Sequence, residues 1–487
     1  MDSNYYAHQT PQFRVLSDGQ IRRIFDATLE CLNRTGAKIH NAQARQLLEK
    51  AGGRLEGDRV RIPPHLVQEA ISSTPRTFTL WGRDGKHHLQ VAPDRVYFGP
   101  GPTCTYFIDP ETGEKRKTRQ GDPGLTAKVA DALENIDFVM SLGLIGDVTS
   151  KLAPVYEFAE MLTWTVKPVL PWAYSTENVS DIYQIALAVT GSEEALRKRP
   201  ILAFFSTFQS PLVQTEEDLA NVLWAVEHDL PVVYIGGGTA GTDSPITGAG
   251  TLVVSLAGAL CGLTIMQLCK RGAPVCIGSV PEAMDLRTGR PPYGGPETSL
   301  YSAALSDICK YLGLPFMGTA GTSESKVLDL QAAIESSIQV VFSALSGATL
   351  VHDVGFLDCA QIGSLESLVM NDEIIAMTRR ILRGVEVNDD TLMLDLIDRV
   401  GPGGSFLSTP ETSKRCRTEI WNPTLMDRQP YTNWLSAGAQ TMNDRIHLKL
   451  KNILETHQPP PLPDGAAEKI DRILHAAEKR ETSLSPQ

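Results

Sequence analysis

A chain of 487 residues and 53.1 kDa is two to four times the usual domain size, so one large barrel or two domains are both allowed. Hydrophobic residues at 42% and charged residues at 21% exclude global disorder. With 45 Lys+Arg against 57 Asp+Glu, the net charge of -12 argues against nucleic acid and anionic membrane surfaces as partners.

The first residues, MDSNYYAHQTPQF, lack the basic-then-apolar layout of a signal peptide. The eight cysteines, at 31, 104, 261, 269, 276, 309, 359 and 416, form no C-x-x-C and read as free thiols of a reducing cytoplasm. SDGQIRRIFDATLECLNRTG reads as a helix with Ser17 as N-cap and Gly36 as stop, and NAQARQLLEKAGG as a second. From Thr77 to Ile108, short alternating runs (TFTLWG, HHLQVA, RVYFG, CTYFID) predict a small antiparallel β-layer.

From Ile136 the rhythm is strand then helix. Apolar runs fall at 138–146, 169–175, 201–209, 232–238, 275–280, 316–322 and 348–355, with GVEVN (384–388) as a possible short eighth strand. This is the size and rhythm of an α/β fold of the (β/α)8, or TIM-barrel, type, a doubly wound open sheet being the alternative. The stretch Thr251–Cys269 is long enough to span a membrane. Its small and polar residues fit a buried helix better, and no membrane is expected as a partner. The reading divides the chain into a helical and β capping region over 1–135, the barrel over 136–400 and a C-terminal extension over 401–487 that wraps it. The final few residues are expected to lack order.

In such a barrel the site lies at the C-terminal ends of the strands. The glycines Gly236, Gly237 and Gly238 open one loop, without the G-K-[ST] ending of a phosphate loop. The next loop gathers Glu282, Asp285 and Arg287, as acid–base machinery or as an ion-pair network. Glu324, Lys326 and Asp329 follow the sixth strand, where Lys326 reads as salt-bridged to the neighbouring acids. His352 and Phe356 stand at the end of the seventh. No metal is expected, since neither H-E-x-x-H nor H-x-x-E-H occurs. Aromatic residues recur at predicted mouth positions: Trp172, Phe316, Phe356, and Tyr97 and Phe98 in a segment expected to fold over the mouth. Such rings pack cores, and a subset can cage a quaternary ammonium group.

Three long segments carry a resemblance. GSVPEAMDLRTGRPPYGGPETSLYSAALSDICKYLGLP, GTSESKVLDLQAAIESS and GATLVHDVGFLDCAQIGSLESLVMNDEIIA resemble the trimethylamine methyltransferase superfamily. The tail motifs GPGGSFL and NPTLMDR and the spacing of Trp434 and Gly438 fit as well, so the likeness runs over about 15–475. One departure is Glu411, where the family more often has His. The resemblance implies a barrel that moves a methyl group from a methylamine to the Co(I) of a separate corrinoid protein. The enzyme itself would hold no tight cofactor, would form a homo-oligomer, and would dock its cobalamin-carrying partner over the mouth near Gly236–Gly238. Archaeal trimethylamine enzymes carry pyrrolysine; only ordinary residues stand at 320–330 here. The chain therefore resembles the non-pyrrolysine members, which are similar to betaine methyltransferases.

The chemistry agrees. A quaternary ammonium leaves as a neutral amine when its methyl is taken, and no general acid is needed. The expected donor is glycine betaine, with Tyr97, Phe98 and Phe356, then Phe316 and Trp172, around the head, His352 on the carboxylate and Arg287 in reserve. The rivals are another quaternary amine (proline betaine, carnitine, choline), trimethylamine, and a non-catalytic betaine-binding protein.

Overall fold

The computed structural model describes residues 13–484. The stretch read for a signal peptide, apart from Phe13, and the chain's last residues, expected to lack order, lie outside them. Helix Asp18–Arg34 starts at Ser17, which closes a capping box with Gln20. It stops at Gly36, whose φ is 74° and where a Cβ would overlap the Val60 carbonyl. This helix and helix Pro64–Ser73 lie on helix Gly248–Cys269. That explains the long helix's composition: it is apolar on all sides because it is covered on most of them.

Parallel pairing runs strand by strand through Phe204–Thr207, Val232–Gly236, Val275–Ser279, Phe316–Thr319, Leu350–His352 and Tyr97–Phe98. Single bridges Val139–Val169 and Val169–Leu202 continue it, and Asp137 N–H donates to Phe98 O at 2.7 Å, so the pairings return to their start. Two expectations change here. The barrel does not begin at 136, because Tyr97–Phe98 is one of its strands, set in register with Leu350 and Val351. GVEVN is no strand, and its Val385 and Val387 are exposed. The expected antiparallel layer survives as the hairpin Phe78–Trp81 with His88–Val91 and the pair Tyr106–Ile108 with Lys115–Lys117.

Side chains alternate along each strand. Tyr97, Phe138, Met140, Phe205, Ile235, Met317 and Leu350 share one buried cluster, the interior of the ring. Phe98, Val139, Phe204, Tyr234, Phe316 and Val351 belong to the cluster that faces the helices. Leu80, Leu89 and Val91 of the hairpin join the interior cluster, and Trp81 N–H donates to Pro200 O. The hairpin therefore closes the N-terminal end of the ring, which leaves the other end as the mouth.

Beyond helix Leu365–Leu382, the chain forms an arm over 384–420 and then returns. The NPTLMDR motif is fixed by one carboxylate. Buried Glu373 accepts from the backbone N–H groups of Thr424, Leu425 and Met426 and from the Thr424 hydroxyl, at 2.6–3.2 Å. Helix Met442–Thr456 then packs on Asp122–Ala132 and Leu365–Leu382, and helix Ala466–Leu484 on Thr176–Thr190. Glu373→Gln removes the charge from every one of these bonds and turns an amide N–H₂ toward the Thr424 N–H and hydroxyl, of which only the hydroxyl can accept. It should cost about 3 kcal/mol, the scale of charge-assisted bonds lost in a buried site. A lower melting temperature and new protease cleavage within 421–441 would register it; an unchanged melting temperature would show that the motif is held by other contacts.

Candidate active site

The mouth contains a pocket of about 750 Å³ lined by Thr103, Tyr106, Lys115, Glu282, Arg290, Pro291, Tyr293 and residues 358–361. Three loops build it: one after strand Tyr97–Phe98, one after Val275–Ser279 and one after Leu350–His352. The last is strained. Asp358, Cys359 and Ala360 take left-handed φ values of 53, 55 and 57° in succession, and Asp353 has φ of 73°. Such conformations cost about 1–2 kcal/mol each for L-residues and concentrate at functional sites.

Below the pocket sits a buried group of polar side chains. Asp353 Oδ2 accepts from Thr319 Oγ1 at 2.8 Å and lies 3.4 Å from His352 Nε2. The other His352 nitrogen is 2.9 Å from Gly318 O, and its ring lies 5.9 Å from that of Phe205. Burial raises the Asp353 carboxyl above its ordinary range, with His352 and Thr319 opposing. Gly101 is needed here, since a Cβ would overlap Asp353 Oδ1 and lie 2.6 Å from Phe356 Cζ.

Glu282 lies in a two-residue parallel ladder, Thr239–Ala240 with Glu282–Ala283, at the mouth. Oε2 accepts from Thr239 Oγ1 at 3.3 Å, while buried Oε1 has no hydrogen-bond partner among the described residues. Burial pushes this carboxyl up to about 8; Thr239 opposes, and Glu324, Asp243 and Asp353 add to the rise. Burial likewise raises Glu324 and the Tyr293 phenol. On the rim, Arg290 Nη1 and Nη2 donate to Asp358 Oδ1 and O, each at 2.9 Å. Lys115 Nζ stands 4.2 Å over the Tyr106 ring. The pocket thus brings Glu282, a carboxyl raised by burial, together with the cations Arg290 and Lys115.

Of the residues named from sequence, His352 and Phe356 come together around Asp353 and Gly101. Trp172 lies at another strand end, its Nε1 donating to buried Glu157 at 2.8 Å and its ring 4.5 Å from that of Tyr174. Burial pushes Glu157 up to about 8. Tyr97 points into the ring but toward its closed end, where its hydroxyl accepts from Gln90 N–H. Phe98 and Phe316 face the helices. Neither Tyr97 nor Phe98 folds over the mouth, because their segment is a barrel strand. Arg287 is almost fully exposed and pairs with Asp285 in a turn pointing away. Gly236, Gly237 and Gly238 are explained by packing: the space of a Cβ is filled by Phe208, the Val280 carbonyl and Ser244. Asp329 caps helix Leu330–Ser346, and Lys326 lies 3.8 Å from Asp358. Sequence reasoning missed Asp353, Arg290 and Tyr293, all in motif segments already singled out, and gave Glu282 no binding role.

The trimethylamine methyltransferase family model matches residues 1–484. This chain belongs to that family. The family member is 32% identical over 95% of its length to trimethylamine methyltransferase MttB of Desulfitobacterium hafniense, covering 93% of that protein. It is 28% identical to a glycine betaine methyltransferase of Desulfitobacterium hafniense strain Y51, covering 95% of this chain and 97% of that one. It is 31% identical to trimethylamine methyltransferase MttB1 of Methanosarcina mazei, over 96% of each. Among solved structures, the monomethylamine methyltransferase of Methanosarcina barkeri superposes with a TM-score of 0.52 at 12% identity, over 98% of this chain and 89% of that one. At that identity the likeness speaks for the fold alone.

Proposed function

We propose that this methyltransferase moves one methyl group from glycine betaine to the Co(I) of a separate corrinoid protein and releases dimethylglycine. The observation that supports it is the pairing of signs in the mouth pocket. Glu282, above Asp353, suits a trimethylammonium head, and Arg290 suits the carboxylate of the same zwitterion. Tyr293 and Tyr106 line the pocket and offer aromatic faces to the head, whereas Phe356 is fully buried and outside that lining. The partner's Co(I) supplies the electron pair that takes the methyl. The C–N bond breaks with its own pair left on nitrogen, so the amine departs neutral and no proton moves. This chain's task is then to hold the N–CH₃ bond in line with the acceptor and to exclude water. His352 and Thr319 hold Asp353, and Gly101 allows Phe356 to stand beside it. The corrinoid protein docks over the open mouth, in the reducing cytoplasm that eight free thiols suit.

A second reading has one observation behind it. The relatives at 31 and 32% identity are trimethylamine methyltransferases, while the betaine enzyme stands at 28%. Trimethylamine, however, has no carboxylate for Arg290. Incubation with Co(I)-cobalamin and a panel of donors, followed by the methyl-Co(III) spectrum, separates the readings. Methylation from glycine betaine supports the proposal. Methylation from trimethylamine and no quaternary amine overturns it, as does tight betaine binding with no methylation, the behaviour of a binding protein.

Binding should also depend on pH. With its carboxyl near 8, Glu282 is mostly neutral at pH 6.5 and mostly charged at 8.5. A permanent cation favours the charged form, so betaine affinity should rise several-fold across that interval, with proton release on binding at pH 7. Calorimetry in two buffers of different ionisation heat measures both. Affinity that falls as pH rises would place the head away from Glu282.

A further inference from the structure

The arm over 384–420 leaves and rejoins helix Leu365–Leu382 at one point. Arg380 donates to Glu419 O at 3.0 and 2.9 Å, and Arg383 to Thr418 O. That point is remote from the mouth: Arg379, on the same turn, binds Asp137 at 2.6 Å, at the start of a barrel segment. The arm is well built. Asn388 closes a capping box on Asp389–Leu392, and Thr409 caps Pro410–Glu419. Yet in helices Asp389–Leu392, Leu394–Val400 and Pro410–Glu419, only Leu396 is buried. Val385, Leu394 and Leu407 are 76, 67 and 85% exposed, and half of the large apolar side chains exposed among the described residues lie between Ile381 and Leu435. Ordered helices that present apolar side chains outward mark a surface made to be covered.

The arm's charge says by what. Residues 386–398 carry five acids and no base; residues 399–418 carry four bases and one acid, Glu411, itself paired with Arg399 at 2.6 Å. The two segments lie side by side, Glu386, Leu396 and Ile397 lining one groove with Phe406 and Arg415. An acidic segment beside a basic one is complementary to its own copy turned about a twofold axis, acidic to basic twice over. We propose that the arm is an isologous contact between two copies of this chain, with Val385, Leu394 and Leu407 in the apolar centre. A corrinoid protein is not its occupant, since that partner must reach the mouth at the other end of the barrel. This inference stands apart from the choice of methyl donor.

Sedimentation velocity on the full chain at about 10 µM, above the µM-to-pM dissociation constants of standard-size interfaces, tests it. The expected species is twice 53.1 kDa, or a larger even-numbered assembly. Asp389→Lys/Asp390→Lys and Lys414→Glu/Arg415→Glu should each weaken the arm contact at least about hundredfold, with circular dichroism and melting temperature unchanged. Mixed in equal amounts, the two variants should reassociate, because both charge contacts are restored in the mixed pair. A monomeric wild type, an assembly of odd number, wild-type association by either variant alone, or no reassociation on mixing would overturn the proposal.

Discussion

Replacing Arg290 by Met should raise the KM for glycine betaine by about 30- to 150-fold, the equivalent of the 2–3 kcal/mol of one charge-assisted pair. Choline and trimethylamine, which carry no carboxylate, should be affected by less than about threefold. The contrast between donors is the result that matters, because Arg290 also holds Asp358 through two bonds of 2.9 Å. If Arg290 only secured the strained turn at Asp358, Cys359 and Ala360, its loss would impair all donors alike. Arg287→Met is the control: that side chain is almost fully exposed and should leave every donor unchanged. A betaine-selective defect in Arg287→Met instead would move the carboxylate to Arg287, the reserve position expected from sequence after His352.

Gly101→Ala should be the most damaging single methyl in the mouth. The new carbon would overlap Asp353 Oδ1 and stand 2.6 Å from Phe356, both of which are buried. Overpacking of this kind costs about 1–3 kcal/mol, which a chain of this size survives. Activity should fall more than about hundredfold, because displacement of reacting groups by 1 Å has that consequence. Melting temperature and activity therefore separate: a few degrees against two orders of magnitude. Gly101→Ala combined with Phe356→Leu, which frees part of the space, should recover some of the loss. Wild-type turnover in Gly101→Ala would mean that the donor does not bind beside Asp353.

The barrel was largely legible because seven of its segments are apolar runs, each followed by a helix. The strand Tyr97–Phe98 was hidden by its length of two residues and by its neighbours, true antiparallel hairpins. Its partner Leu350–His352 lies some 250 residues away, and local pattern holds no trace of that pairing. GVEVN misled for a different reason. Its alternating valines are apolar without being buried, so periodicity read as a strand what belongs to an exposed arm.

The site was legible by segment but not by side chain. Sequence singled out the loop after Ser279 and the one after His352, and both line the pocket. Within the first loop Arg287 and Arg290 are equally charged, and only the turn at Asp285 decides which points outward. Within the second, Asp353 adjoins His352, and its left-handed backbone turns its carboxyl to Thr319. Aromatic content was a poor guide to the mouth: Phe98 and Phe316 obey strand alternation and pack against helices.

The central claim is the identity of the methyl donor. The most direct test offers ¹³C-methyl glycine betaine and deuterated trimethylamine together, at equal concentration, with the corrinoid protein in its Co(I) state, and reads the transferred methyl by mass spectrometry. The account predicts ¹³C-methyl on cobalt with one dimethylglycine released per methyl. Deuterated methyl on cobalt, with dimethylamine released and betaine untouched, would contradict it.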